Sequence, residues 1–181
     1  MPGKPALDPV DILKELEDRC FLYAARIPQQ IETRTVWVGV GYRLADSRLV
    51  TPLADIVEIL AYPNLSMVPR TKPWVRGVAN VRGNLLPVMD LREYLEGTPV
   101  KMLRQSRVLV VNHLGILTGF VVDEVLGLKH FHDEDYSDDM CVENPSISGY
   151  VEHGFIKDGE RWCVFNVHKL ADSVRFVQAA G

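Results

Sequence analysis

The chain has little of several things that would point to a familiar chemistry. Its three cysteines, Cys20, Cys141 and Cys163, are odd in number and widely spaced, with no C-x-x-C pair, so they read as reduced thiols rather than a disulfide framework or zinc site. No apolar run approaches the length needed to span a bilayer, and the first residues, MPGKPALDPVDI, lack the apolar stretch and small-residue cleavage pattern of a leader. A cytoplasmic chain with no direct membrane insertion is expected. Basic surplus is absent too: 20 Lys and Arg against 24 Asp and Glu leave a formal charge of −4, whereas a binder of phosphate backbones carries a basic stripe. Nucleic acid is therefore not an expected partner. There is no P-loop or dinucleotide fingerprint, Ser146-Ile147-Ser148-Gly149 lacks the preceding glycine of a nucleophile elbow, and no cysteine lies in an evidently electropositive setting. These absences predict a protein that is not an enzyme and holds no cofactor.

What is present is ordinary globular material: 181 residues, 47% apolar and 24% charged, enough for one domain. After a Pro- and Gly-bearing tail, Asp8-Pro9 opens a predicted helix over residues 8–26. Ile12, Leu13, Leu16, Cys20, Tyr23 and Ala24 form its apolar face. Val36, Val38, Val40 and Tyr42 then alternate with Trp37, Gly39, Gly41 and Arg43, the period of a strand, and residues 48–52 return from a turn. The two glycines there fit a close backbone approach or a bend in a small barrel. Residues 55–60 are ambiguous between strand and helix, and residues 73–81 predict a short helix because Trp74, Val78 and Val81 share a face.

The second half repeats the plan. Strands at 108–111 and 118–122 flank a turn, and further strands are predicted at 147–156 and 161–165 around the hairpin signal Asp158-Gly159. Asn166 caps a predicted terminal helix, VHKLADSVRFVQ. D-x-V recurs as Asp55-Ile56-Val57 and Asp123-Glu124-Val125, and an apolar strand running into a capped helix recurs as PVMDLREYL and CVFNVHKLA. Two sheets too small to be stable alone gain by sharing one core, so two packed short-stranded barrels are expected.

The most informative stretch is residues 74–95, WVRGVANVRGNLLPVMDLREYL. Gly77 and Gly83 permit positive φ or close approach, Arg76 and Arg82 stand beside them, residues 85–89 read as a strand, and Asp90 caps a short helix ended by Gly97. Gly77, Asn80, Arg82, Gly83, Pro87, Asp90 and Leu91 resemble the central motif of CheW-like coupling domains, G-x-x-N-x-R-G-x-x-x-P-x-x-D-L, and the likeness runs over residues 36–172. The preceding helix and aromatic first strand narrow it to the CheW-like proteins of chemosensory systems that govern type IV pili.

The resemblance implies a mainly β fold of two packed, intertwined SH3-like five-stranded barrels with an extra N-terminal helix and a C-terminal helix. Residues 1–32 would form the N-terminal tail and helix, and residues 33–176 the CheW-like domain. It also tips residues 55–60 to strand. The implied activity is that of a non-enzymatic adaptor, binding the regulatory domain of a CheA-type histidine kinase and the cytoplasmic tip of a chemoreceptor, and so recruited to membrane-associated receptor arrays. The implied output is twitching motility. A coupling protein for flagellar chemotaxis and a stand-alone peptide-binding barrel are the alternatives. By the same resemblance Arg82 is tied to signalling, with Asn80, Gly83 and Gly77 around it, while Val57 and Glu58 match a partner-facing segment.

Each of these residues also has a plainer reading. Arg82 could form a structural ion pair with Asp90 or another nearby carboxylate, and Val57 and Glu58 could be simply one inward and one outward strand residue. Trp37 and Trp74 fit a core or barrel cap better than an interface. His130, His132 and the acids after them could meet a metal, but no third fixed ligand is evident, and a solvated acidic loop explains them.

Overall fold

A computed structural model describes residues 10, 13–17, 19, 36–138 and 144–178. The chain divides into two units, Met1–Arg34 and Thr35–Gly181. In the first, residues 13–17 are helical, Arg19 pairs with Glu15 one turn back, and Val10, Leu13 and Leu16 are exposed. The expected cap at Asp8, the helix beyond residue 19, and Cys20 and Cys141 lie outside the described residues.

The second unit is built from strands β1 (Val36–Leu44), β2 (Ser47–Pro52), β3 (Ile56–Ala61), β4 (Val75–Val81), β5 (Asn84–Asp90), β6 (Arg107–His113), β7 (Ile116–Val122), β8 (Glu124–His132), β9 (Tyr136–Ser137), β10 (Val151–Lys157) and β11 (Glu160–Phe165). Short helices α1 (Leu91–Glu96), α2 (Pro145–Ser148), α3 (Val167–Ala171) and α4 (Val174–Val177) complete the unit, α1 following β5 and α3 following β11. One sheet has the order β8-β1-β2-β11-β10-β9 and the other β3-β6-β7-β5-β4. If each half is counted from its own first hairpin, β6, β7, β8, β10 and β11 correspond to β1, β2, β3, β4 and β5, and the two orders become the same. The likeness reaches the parallel pairs, β11 with β2 and β5 with β7, and the bulges at Gly41/Tyr42 and Ile56/Glu58. Each sheet therefore takes its leading hairpin from one half of the chain and its other three shared strands from the other half. This is the intertwined pair of barrels expected from the sequence.

Local chemistry explains the elements. Asp90 accepts a hydrogen bond from the Glu93 amide at the start of α1, and Gly97 at φ 72° ends it, the cap and stop read from the sequence. Asn166 caps α3 through the Lys169 amide in the same way. Asp158 and Gly159 both take positive φ, as a two-residue hairpin turn demands. A methyl on Gly39 would lie 2.6 Å from the Thr51 carbonyl oxygen, and one on Gly41 would lie 2.7 Å from the Trp162 ring, so both glycines admit a neighbour that a side chain would exclude.

Three expectations need correction. Residues 75–81 form strand β4 and not a helix: Gly77 at φ 137° cannot sit in a right-handed helix, and Gly77 and Ala79 alternate inward as small residues on a strand. Residues 145–148 are helical rather than the start of a strand, because Asn144 caps and Pro145 takes the first helical position, and β10 begins only at Val151. The terminal helix is two short helices, broken at Asp172–Ser173, where the Ser173 amide and hydroxyl both bond the Leu170 carbonyl.

One core cluster draws on both sheets, from Val40, Tyr42 and Leu44 through Val108, Phe120 and Phe165. A second lies within the six-stranded sheet, where Val50, Phe131, Phe155, Trp162 and Val164 are covered by Trp37. Trp74 is buried with its ring edge-on to Tyr94 at 5.0 Å, so both tryptophans serve packing, as their plainer reading held. Each such side chain contributes about 1.5–3 kcal/mol on burial.

Candidate functional site

The residues singled out around Arg82 lie on β3 and the β4–β5 hairpin. The hairpin closes through Val81 opposite Asn84, leaving Arg82 at φ 51° and Gly83 at φ 86° as the two turn residues. Asn80 accepts a hydrogen bond from the Gly83 amide at 3.0 Å and pins the turn. The β6–β7 hairpin has the same construction: Asn112 accepts from the Gly115 amide at 3.0 Å, and Leu114 and Gly115 both have positive φ. Asn80 and Gly83 thus build a turn that recurs at a hairpin with a different place in the repeat, presenting arginine here and leucine there.

Gly77 has a separate role. A methyl there would come within 2.5 Å of the Ser66 carbonyl oxygen, where residue 66 crosses β4 and exchanges two 2.9 Å backbone hydrogen bonds with Val78. Gly77 seats this crossing segment, and the β4–β5 register shifts beside it.

Arg82 pairs with Glu58, Nη2 to Oε1, at 2.5 Å. It does not pair with Asp90. That buried carboxylate belongs to Arg76, whose Nε and Nη2 lie 3.1 and 2.5 Å from Asp90 Oδ2, because Arg76 sits on β4 beside the mouth of α1 while Arg82 stands at the far hairpin tip. Burial opposes the charge on Arg76, but Asp90 and Glu93 more than offset it and raise its pKa further. Glu58 and Arg82 come from opposite edges of the five-stranded sheet, so their ion pair draws the open edges of the barrel together. The arginine side chain is 78% exposed and the glutamate 27%.

On β3 the residues alternate around this pair. Val57 and Ile59 are exposed, while Ile56 and Leu60 pack on the core. The register shift between Ile56 and Glu58 re-aims the strand at this point. Leu85, paired with Asn80 across the hairpin, is 75% exposed. The geometry thus brings Glu58 and Arg82 together, places Val57 beside Glu58 in the strand as an exposed residue, and leaves Asn80, Gly83 and Gly77 as the frame. An exposed charge pair on elements that also carry exposed aliphatic side chains can recognise a protein surface.

The acidic segment after β8 begins with a single 3-10 turn, Asp133–Asp135, closed by Asp135 accepting from the His132 amide. Among the described residues, no group of three or more His, Cys, Asp or Glu is placed to hold a metal ion. Sequence reasoning missed a different cluster. His113, at the end of β6, and His168, on α3, face each other at 2.9 Å between Asp172 and Asp55. The four residues are scattered along the chain, and only the packing of α3 against the β6 end could bring them together. Among the described residues, no helix is long and apolar enough to cross a membrane.

Comparison with known proteins shows the family and the fold. The family model described as CheW-like domain matches residues 38–175. Protein PilI of Pseudomonas aeruginosa is 39% identical over 173 residues, covering 95% of this chain and 96% of that protein. Chemotaxis protein CheW of Helicobacter pylori is 28% identical, over 82% of this chain and 88% of its own length. Among solved structures, the scaffolding protein TtCheW from Thermoanaerobacter tengcongensis superposes with a TM-score of 0.67 at 21% identity, over 77% of this chain and 94% of that one, a likeness of fold. With the family model spanning most of the chain and the PilI similarity running nearly end to end, the chain belongs to the CheW-like family.

Proposed function

We propose that this CheW-like protein is a non-enzymatic adaptor that couples a methyl-accepting chemoreceptor to a CheA-type histidine kinase in a chemosensory system controlling type IV pili. The observation that carries the reading is the exposed Arg82, presented by a fixed turn and paired to Glu58 across the barrel, with Val57 and Ile59 exposed on the strand of Glu58 and Leu85 exposed on the hairpin of Arg82. Asn80, Gly83 and Gly77 act by holding that turn and its strand. The similarity to PilI over both full lengths supports the pilus output over a flagellar one. In this reading the partners are the kinase regulatory domain and the cytoplasmic receptor tip, and the protein reaches membrane-associated arrays by binding them. Residues 33–176 do the coupling, and residues 1–32 form a separate N-terminal element.

Such a protein needs no chemistry of its own. It binds two partners, and a receptor state that favours one arrangement of coupler and kinase shifts the kinase equilibrium by the difference in affinity. The test is calorimetric titration with the regulatory domain of a CheA-type kinase from the same genome. Saturable binding at micromolar concentrations or tighter is expected. Arg82→Ala and Glu58→Ala should each either weaken it about tenfold, a loss of about 1.4 kcal/mol, or leave it intact and abolish receptor control of the kinase in reconstituted arrays. Both variants should fold normally, since an exposed ion pair contributes about 1 kcal/mol or less to stability. Absence of binding to every such kinase overturns the assignment.

A further inference from the structure

Charge is unevenly shared along the chain. No Asp or Glu occurs between Glu58 and Asp90 or between Glu96 and Asp123, so residues 59–122 hold eight Lys and Arg against three Asp and Glu, in a protein whose formal charge is −4. Each of those three acids is already paired, Asp90 and Glu93 with Arg76, and Glu96 with Arg92. Among the described residues, Lys72, Lys101 and Arg104 have no carboxylate partner, and Arg175 lies over the Tyr94 ring at 4.7 Å.

Fold and sequence place these cations about one surface feature. Lys72, Trp74, Glu93, Gly97, Val174 and Arg175 line a cleft of about 790 Å³, and the loop that leaves it at Gly97 presents Lys101, Met102, Leu103 and Arg104, all exposed. Only four residue steps separate Gly97 from Lys101, so their Cα atoms lie within about 15 Å of each other. The loop backbone is pinned. The Val100 amide donates to Asp90 at 2.9 Å, the hydroxyl of the buried Ser106 accepts from the Leu103 amide at 3.0 Å, and the Ser106 amide donates to the Leu103 carbonyl at 3.0 Å. Glu93, the one acid in the cleft, turns its buried Oε2 toward Arg76 Nη2 at 3.6 Å.

We propose that this cleft and loop dock an acidic segment of a partner protein, one with apolar side chains set among its carboxylates. The carboxylates meet Lys72, Arg175, Lys101 and Arg104, and the apolar groups meet Met102, Leu103 and Val174, which are 42%, 55% and 72% exposed. A loop whose backbone is already fixed loses little freedom on binding, and methionine adapts to apolar groups of varied shape. Charge complementarity selects the kind of partner. Screening confines each charge to about 8–10 Å, so a narrow segment feels mainly these cations. A bilayer or a nucleic acid is broad and also meets the rest of the chain, where twenty-one Asp and Glu outnumber twelve Lys and Arg. This surface uses neither Arg82 nor Glu58, and its occupant need not be the kinase.

The test titrates the full chain with a synthetic peptide of alternating glutamate and leucine, with the same peptide carrying glutamine for glutamate, and with vesicles of anionic phospholipid. Backbone amides are followed by NMR and affinity by calorimetry at several salt concentrations. The expected result is saturable binding of the glutamate peptide that weakens as salt rises, with amide shifts at residues 97–104 and at Lys72 and Arg175. Lys101→Glu with Arg104→Glu should weaken it about tenfold or more, whereas Lys169→Glu with Arg161→Glu, exposed cations on α3 and β11, should leave it unchanged. Met102→Ser with Leu103→Ser should weaken it while keeping its salt dependence. All these side chains are exposed, so the variants should keep the amide spectrum of the folded chain. Equal binding of the glutamine peptide, equal loss in the α3 and β11 variant, or shifts confined to other residues would overturn the proposal. So would vesicle binding through Lys101 and Arg104 without peptide binding, or self-association that the Lys101 and Arg104 variant abolishes, which would give the surface to a membrane or to a second copy. Arg82→Ala should not alter peptide binding, so failure of this site and failure of the adaptor reading are told apart.

Discussion

Replacing Asp90 should be among the most damaging single changes away from the apolar core. Its carboxylate is fully buried and accepts four hydrogen bonds: Oδ1 from the Glu93 amide at 2.9 Å, and Oδ2 from the Val100 amide at 2.9 Å and from Arg76 Nε and Nη2. Asp90→Ala removes the cap of α1, worth about 1 kcal/mol. It also leaves the buried Val100 amide without an acceptor, at about 1–3 kcal/mol, and strips the half-buried Arg76 of its counter-charge. A total loss of about 4 kcal/mol follows, a large part of the stability of a typical domain. Asp90→Asn is informative because the second half already carries asparagine at the matching position. Asn166 Oδ1 caps α3, while its Nδ2 donates to Glu152 Oε1 at 2.7 Å. Asparagine suits that site because a carboxylate faces it. At position 90 its Nδ2 would face three donors, so Asp90→Asn should lose most of what alanine loses, and adding Arg76→Glu should recover part of it. Urea unfolding measures this: with m about 2 kcal/mol/M, the midpoint of Asp90→Ala falls by about 2 M. A loss below about 1 kcal/mol for Asp90→Ala, or wild-type stability for Asp90→Asn, would refute this account of the carboxylate.

Two further outcomes follow from the geometry. Gly77→Ala should cost about 2 kcal/mol or more, because the methyl meets the Ser66 carbonyl and φ is positive; Gly83→Ala, which points into open space and bears only the conformational penalty, should cost about 1 kcal/mol, with thermal melts separating the two. At alkaline pH the buried Tyr42 becomes a liability, since burial lifts its phenol well above the ordinary value and the Thr51 hydrogen bond offsets this only in part. The folded pKa exceeds the unfolded one, so the contribution is complete below about pH 10, where the unfolded chain ionises, and is lost as pH rises through the folded value. Alkaline unfolding followed by tyrosinate absorbance should show this decline, and Tyr42→Phe should flatten it.

The parts of the fold legible in the sequence are those set by neighbouring residues. Asp90 and Asn166 as caps, Asp158-Gly159 as a turn, and the repeated D-x-V depend on a few consecutive positions, and local chemistry specifies them. Strand β4 was masked because Trp74, Val78 and Val81 happen to fall at helical spacing, and the reason Gly77 rules out a helix lies partly in residue 66, which crosses it. The frame of the candidate site was legible as a motif, but the choice between Arg76 and Arg82 as the partner of Asp90 was not. The two arginines stand in similar R-G contexts, and only the hairpin shows that one lies at the helix mouth and the other at the tip. The histidine cluster had no signal at all, since its members gain meaning only when α3 packs on the end of β6.

The exchange of leading hairpins between the two sheets bears on how the molecule can fail. Neither half of the chain holds a complete sheet, so cutting between α1 and β6 would leave two pieces that each lack a hairpin only the other can supply. The same arrangement would arise if two copies of a shorter ancestor had traded hairpins as a swapped dimer and were later fused. It also means that the two barrels rise and fall together: a disturbance that loosens one withdraws a hairpin from the other. Quality control in a cell should therefore meet this protein either whole or unfolded, without a half-folded form that presents one face while the other is lost.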